Sequence, residues 1–161
     1  MNRRTFINNT LLTSVGLIFS NTLISCSNTG ISLEKCIGQS EDLLSSFPKE
    51  GDHNFAYYTL NESDFIHPLI FGETTYVFSQ EGKIVGYTIK MSGISEITKY
   101  SNKLNELYGP SIKIFENDYG EEHKWTTPDR NMILNYTKQY KNIPQNTFYS
   151  EALKGNKLIV F

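Results

Sequence analysis

The chain has 161 residues and a formal net charge of −2, which becomes −4 for the 136 residues after position 25, because Arg3 and Arg4 are the only charged groups before Glu34. That length builds one ordinary domain, and the mildly acidic balance gives no reason to expect nucleic acid or an anionic lipid surface as the main partner. Aromatic residues make up 13%, ten of them tyrosines, a share that suits a β-rich core and also an interface.

The chain opens Met1-Asn2-Arg3-Arg4, passes through Leu11-Leu12 and Val15-Gly16-Leu17-Ile18-Phe19, and reaches Leu23-Ile24-Ser25-Cys26. A positive start, a short apolar stretch and small residues before a cut site are the parts of a secretory signal, so residues 1–25 read as a signal peptide. Thr13, Ser14, Ser20, Asn21 and Thr22 interrupt the apolar region, whereas a spanning helix wants about 20 mostly apolar residues. Leu23-Ile24-Ser25-Cys26 resembles the bacterial lipobox. That resemblance implies that the Cys26 thiol receives a diacylglyceryl group and that Cys26 becomes the new N-terminus. Several acyl chains, at about 0.8 kcal/mol per buried methylene, then hold the protein at the bilayer. Asn2-Arg3-Arg4-Thr5-Phe6-Ile7 resembles a twin-arginine export signal, with departures at Asn2 and Asn8. Adjacent arginines also serve general secretory signals, so the export route stays open. Ser27 stands where inner-membrane retention uses Asp, which points to an outer-membrane position facing the periplasm. The competing reading is a plain secreted protein with Cys26 unmodified or bridged to Cys36. With Cys26 lipidated, Cys36 has no disulfide partner and reads as a small buried hydrophobe.

Residues 26–31 form the lipidated cysteine and a short tether, and 32–161 a single domain. Ser32 to Ile37 reads as a turn of helix before Gly38. A short helix follows, capped by Ser40, with Glu41 and Asp42 at its positive end, Leu43, Leu44 and Phe47 on its apolar side, and Pro48 as its stop. Phe55 to Leu60 reads as a strand, and Phe65 to Phe71 as a poorer one because of Pro68. Thr74 to Ser79 and Lys83 to Met91 flank Gln80-Glu81-Gly82 as a hairpin, with Val85, Tyr87, Ile89 and Met91 facing inward. A helix capped by Ser92 or Ser95 carries Ile94, Ile97, Ser101, Leu104 and Leu107 at helical spacing and ends at Gly109-Pro110. Strands return over Ser111 to Glu116, Glu121 to Thr126, Asn131 to Tyr136 and Lys157 to Phe161, while the polar stretch 138–150 reads as a loop or irregular edge. The expected class is α+β, an antiparallel sheet with two short helices packed on one face. The element order also admits a helix-then-hairpin unit occurring twice, in halves 32–91 and 92–161.

Gly38-Gln39-Ser40-Glu41-Asp42-Leu43-Leu44, then Tyr57-Tyr58 and the Thr75-Tyr76-Val77-Phe78 and Gly82-Lys83-Ile84-Val85 segments, resemble small outer-membrane lipoproteins of the barrel-assembly type. The likeness covers about residues 36–91, lacks a Gly directly after Phe47 and is interrupted by residues 61–73. It implies two short helices on an antiparallel sheet in a scaffolding or binding module, and transfers no functional residue.

No Gly-x-Ser-x-Gly, phosphate-cradling loop, cofactor motif or metal-type Cys/His spacing occurs. His53 lies in a loop, and His67 before Pro68 reads as structural. His123 would share a strand face with Glu121 and Trp125, an acid, an imidazole and an aromatic wall in a row. An exposed sheet face accounts for them as well, and two ligands make no structural zinc site. The leading expectation is therefore a non-catalytic envelope binding module anchored in the bilayer through Cys26. It would dock a protein partner through Tyr57, Tyr58, Trp125 and Tyr136, tyrosine and tryptophan being enriched at binding hot spots. The alternatives are an enzyme inhibitor or immunity-like protein presenting Asp118, Glu121 and Glu122 together, and an envelope hydrolase using His123 and Glu121. Lipidation is tested directly by palmitate labelling in cells, where Cys26→Ala is expected to abolish incorporation and persistent label would refute the lipobox.

Overall fold

The computed structural model describes residues 30–92, 97–138 and 145–156. The segment expected to be a signal peptide, Cys26, Ile94, Ser95 and the strand expected over 157–161 lie outside the described residues. In chain order the elements are β1 (Ile31–Ser32), α1 (Leu33–Cys36), a 3-10 turn (Glu41–Leu44), β2 (Lys49–Gly51), β3 (Ala56–Asn61), a second 3-10 turn (Glu62–Asp64), β4 (Phe65–Ile66) and β5 (Thr74–Gln80). They continue with β6 (Lys83–Ser92), α2 (Ile97–Tyr108), β7 (Ile112–Glu116), β8 (Gly120–Thr126), β9 (Arg130–Thr137) and β10 (Asn146–Leu153). Eight strands form one antiparallel sheet in the order β2-β3-β5-β6-β10-β9-β8-β7, and β1 pairs in parallel with β4 beside it. The architecture is α+β and dominated by the sheet. Two four-stranded meanders, one from each half of the chain, meet where β6 pairs with β10.

Local chemistry explains most elements. Ser40 caps the first 3-10 turn, its Oγ accepting the Asp42 N–H at 3.3 Å, but the helix stops at Leu44. Residues 38–41 instead run along the start of β6, with Gly38 donating to the Ile84 carbonyl at 2.7 Å and Glu41 to the Gly82 carbonyl at 2.9 Å. The β5–β6 turn places Glu81 at φ 51° and Gly82 at φ 77°, the paired positive angles of a tight two-residue hairpin. Gly109 at φ +82° ends α2, its N–H donating to the Asn105 carbonyl.

Three expectations are corrected. A bulge between Phe78 and Ser79 shifts the β5–β6 register, so Ile84 rather than Val85 enters the core together with Tyr87, Ile89 and Met91. In α2 the buried positions are Tyr100 and Leu104, and Leu107 is exposed, because the apolar stripe runs 97, 100, 104, 108. Most consequentially, Asn146–Leu153 is not an irregular edge but a central strand, bonded to β6 on one side and β9 on the other.

One core cluster joins Leu33, Cys36 and Leu44 from the short helical turns, Tyr100 and Leu104 from α2, and sheet residues from Tyr58 and Val77 across to Leu134 and Trp125. Cys36 is buried, donates through Sγ to the Leu33 carbonyl at 3.1 Å, and has its thiol pushed up to about 12 by desolvation, so it is an inert packing residue. Inside the core the Glu151 carboxylate pairs with the Arg130 guanidinium and accepts the hydroxyls of Tyr87 at 2.5 Å and Tyr149 at 3.2 Å. Arg130 also donates to the Glu34 carbonyl at 3.1 Å.

His67 sits edge-on to Tyr149 and Tyr87, with centroids 5.4 and 6.0 Å away. Its Nδ1 accepts the N–H groups of Leu69 and Ile70 at 3.1 and 3.0 Å, so the ring is neutral with its proton on Nε2. Burial lowers its pKa from 6.5 to about 4. Between these values the unfolded chain takes up a proton that the folded chain refuses, so stability is lost as pH falls from 6.5 towards 4, by about 3 kcal/mol. His67→Asn, whose side-chain oxygen can accept the same two N–H groups, is expected to flatten that part of a urea-unfolding pH profile. An unaltered slope would contradict a buried neutral ring.

Candidate functional site at the β7 edge

The densest grouping of chemistry-bearing side chains lies where α2 ends and β7, β8 and β9 run side by side. Asn105 ties the corner together, its Oδ1 accepting the Ser111 backbone N–H and the Trp125 indole N–H, each at 3.0 Å. Ser111 Oγ stands 3.2 Å from His123 Nδ1, and His123 Nε2 stands 3.2 Å from Glu121 Oε2. Residues two apart on a strand are about 7 Å apart along the backbone, so Glu121 and His123 meet because their side chains lean together. The Tyr136 ring lies parallel to the His123 ring, with an interplanar angle of 10° and centroids 6.4 Å apart.

Glu121 is held on every side. Lys138 lies 3.1 Å from its Oε1 and Lys113 lies 3.5 Å from its Oε2, and both lysines also reach Glu116, at 3.2 and 2.8 Å. The hydrogen bond from Tyr136 is the main force holding the Glu121 carboxyl well below the usual carboxylate range, with His123, Lys138 and Lys113 adding to it. In return, burial and the Glu121 charge push the Tyr136 hydroxyl up to about 12. A groove of about 190 Å³ runs beside these groups, between Ile97, Ser101 and Asn102 of α2 and Glu121, His123 and Tyr136 of the sheet.

Ser111, His123 and Glu121 have the order of a nucleophile, base and orienting acid. Acyl transfer also needs donors aimed at the developing oxyanion, and the Ser111 amide is already committed to Asn105. Among the described residues no group of three or more His, Cys, Asp or Glu is arranged to hold a metal. A larger cavity, about 410 Å³, lies elsewhere and is lined by Phe55, Phe78, Val85, Gly86 and Ala152 with Asn54 and Gln80.

The structure does not gather Tyr57, Tyr58, Trp125 and Tyr136 into one surface. Tyr58 and Trp125 are 4% and 2% exposed and belong to the core. Period-two alternation sends Tyr57 to the other face of the sheet, where its hydroxyl donates to Glu50. Tyr136 lines the groove with Glu121 and His123. The acidic trio is dispersed as well: Asp118 is exposed in a turn, Glu121 faces the groove, and Glu122 on the opposite face accepts from Asn135 Nδ2 at 2.6 Å.

Beyond the sequence expectations lie Asn105, Ser111, Lys113 and Lys138, and above all the exposure of β7. All five of its residues are exposed, with Ile112 at 68%, Ile114 at 46% and Phe115 at 48%. The Ile-Lys-Ile alternation reads as a half-buried strand; a bulge between Lys113 and Phe115 and the position of β7 at the end of the sheet leave its apolar side chains in solvent. Comparison of the chain with protein-family models, with curated proteins and with solved structures finds no match.

The depressed Glu121 pKa has a definite sign. Its contribution to stability is present above the unfolded value of 4.5 and is lost as pH falls through the folded one. Glu121→Gln is therefore expected to unfold at lower urea than the wild type at neutral pH, with the gap closing as pH drops below 4.5. A gap independent of pH would exclude the charge as its source.

Proposed function

We propose that this chain is a lipid-anchored, non-catalytic binding module of the bacterial cell envelope. It is exported by the signal of residues 1–25, lipidated on Cys26, held facing the periplasm with outer-membrane residence favoured by Ser27, and engages a protein partner through the β7 edge. The exposure of β7 carries the reading. An edge strand offers unpaired backbone N–H and C=O groups to another chain, and proteins ordinarily blunt such edges with charge, proline or brevity. Here Lys113, Glu116 and a bulge are present, yet Ile112, Ile114 and Phe115 still stand in solvent on that edge.

We also read the two meanders as a repeated unit, a helical segment followed by four strands. The strand order supports it, as do the buried Leu44 and Leu104 before Phe47-Pro48 and Tyr108-Gly109-Pro110. The envelope-hydrolase alternative keeps one observation in its favour, the Ser111–His123–Glu121 chain in a groove. It requires Ser111→Ala to abolish turnover of an ester substrate, whereas a binding module leaves such an assay at background throughout. For the docking edge, a photoreactive phenylalanine analogue at Phe115 in living cells is expected to trap a protein in a covalent adduct, and the same group at exposed Glu62 is not. Absence of any Phe115 adduct would sink the edge as a docking site.

A further inference from the structure

We infer that the partner taken up by β7 is a second copy of this chain, paired antiparallel edge to edge; this rests on the docking-edge reading above. The two ends of the sheet are built differently. At one end β2 has three residues, follows Pro48, carries Lys49 and Glu50, and closes at Gly51 with φ +103°, a short charged edge of the kind that discourages pairing. At the other end β7 is longer and bears three large apolar side chains.

The charge pattern of β7 is complementary to itself. The bulge between Lys113 and Phe115 absorbs one residue, so Lys113 and Glu116 project from the same face, where Lys113 Nζ lies 2.8 Å from Glu116 Oε2. Read backwards, Lys113-Ile114-Phe115-Glu116 presents acid for base and apolar for apolar. A two-fold axis passing between Ile114 and Phe115 therefore sets Lys113 of each copy opposite Glu116 of the other and Ile114 opposite Phe115, each pair occurring twice. Both copies carry their extra residue at the same place, so the two bulges match across the axis. A slip of one residue either way puts the charges opposite apolar or neutral residues, so the pattern selects one register.

A five-residue edge buries less than a standard stable interface. The pairing is thus expected to be weak in free solution and strengthened when two copies share one bilayer, which turns a bimolecular encounter into a local one. The protein purified from membranes in detergent is expected to show a concentration-dependent dimer by light scattering. Lys113→Glu and Glu116→Lys, each placing like charges opposite one another twice, should each weaken it by about tenfold, and the double exchange should recover most of the loss. Circular dichroism of each variant separates a lost dimer from a lost fold. In cells, the Phe115 photo-adduct should have twice the mass of the chain and map to Ile114 of the other copy. A strictly monomeric protein, or charge exchange that fails to rescue a folded double variant, overturns the second copy as partner. An adduct with a different protein overturns it too while leaving β7 a docking edge, and no adduct at all removes both readings.

Discussion

The pairing of β6 with β10 is the constraint on which the rest of the molecule depends. Seven residue pairs, from Gly86 opposite Ala152 to Ser92 opposite Asn146, join the last strand of one meander to the last strand of the other. The approach is close enough that a Cβ on Gly86 would lie 2.5 Å from the Glu151 carbonyl oxygen and 2.8 Å from the Ala152 Cβ, which is why a glycine stands within a long strand otherwise rich in β-formers. The seam is also stitched by side chains. Thr88 and Ser150 share a hydrogen bond at 2.8 Å on one face, and Tyr87 donates to Glu151 on the other. Glu151 then reaches Arg130 on β9, and Arg130 reaches the Glu34 carbonyl of α1, so a charge pair at the seam links the second meander to the first helical turn. Buried ion pairs add little net stability over apolar packing of the same shape, yet losing one partner is costly. The pair therefore makes this arrangement of the two halves hard to exchange for another.

Joining the meanders at their last strands has a geometric consequence. Among the described residues the outer strands of both halves become the two ends of the sheet, and every contact made by β2 and β7 with the rest of the sheet comes from one side only. The protein treats these ends unequally. The β2 end is short and charged, with Lys49 committed to Glu41, whose carboxyl also receives Ser79 at 2.6 Å and Tyr58 at 3.0 Å and is held at about 2, chiefly by the Ser79 hydroxyl. The β7 end has a matching device in Glu121 with Tyr136, Lys138 and Lys113, but the strand beyond it keeps Ile112, Ile114 and Phe115 exposed.

What could be read from the sequence follows the same physics. Helix caps, hairpin turns and period-two strands are local, so Ser40, Glu81-Gly82, Gly109-Pro110 and the β8–β9 hairpin all lie where residue chemistry puts them. β10 was hidden because its inward positions include Thr147, Tyr149 and Glu151, a polar pattern that becomes core only when Tyr87 and Arg130, distant in sequence, supply partners. Burial of Tyr58 and Trp125 depends on partners of the same kind. Composition marks Tyr58 and Trp125 as interface types, but Glu41 and Asn105 satisfy their polar atoms inside the fold. Lys113 carries no signal of its own, since its meaning depends on a bulge that has no residue signature, and Ser111 gains meaning only from His123, which the β7–β8 pairing brings beside it.

The Ser111–His123–Glu121 chain is held by more groups than its own three members. Glu121 answers to five groups at once: Tyr136, His123, Lys138 and Lys113 bind it, and Glu116 competes for the same two lysines. Its charge is spent on fixing β7 and β9 against β8, and His123 is clamped between that carboxylate and the Tyr136 ring. The result is a rigid corner at the end of the sheet, and a rigid edge is what strand addition exploits, because the ordering entropy of the host strand is already met before a partner arrives.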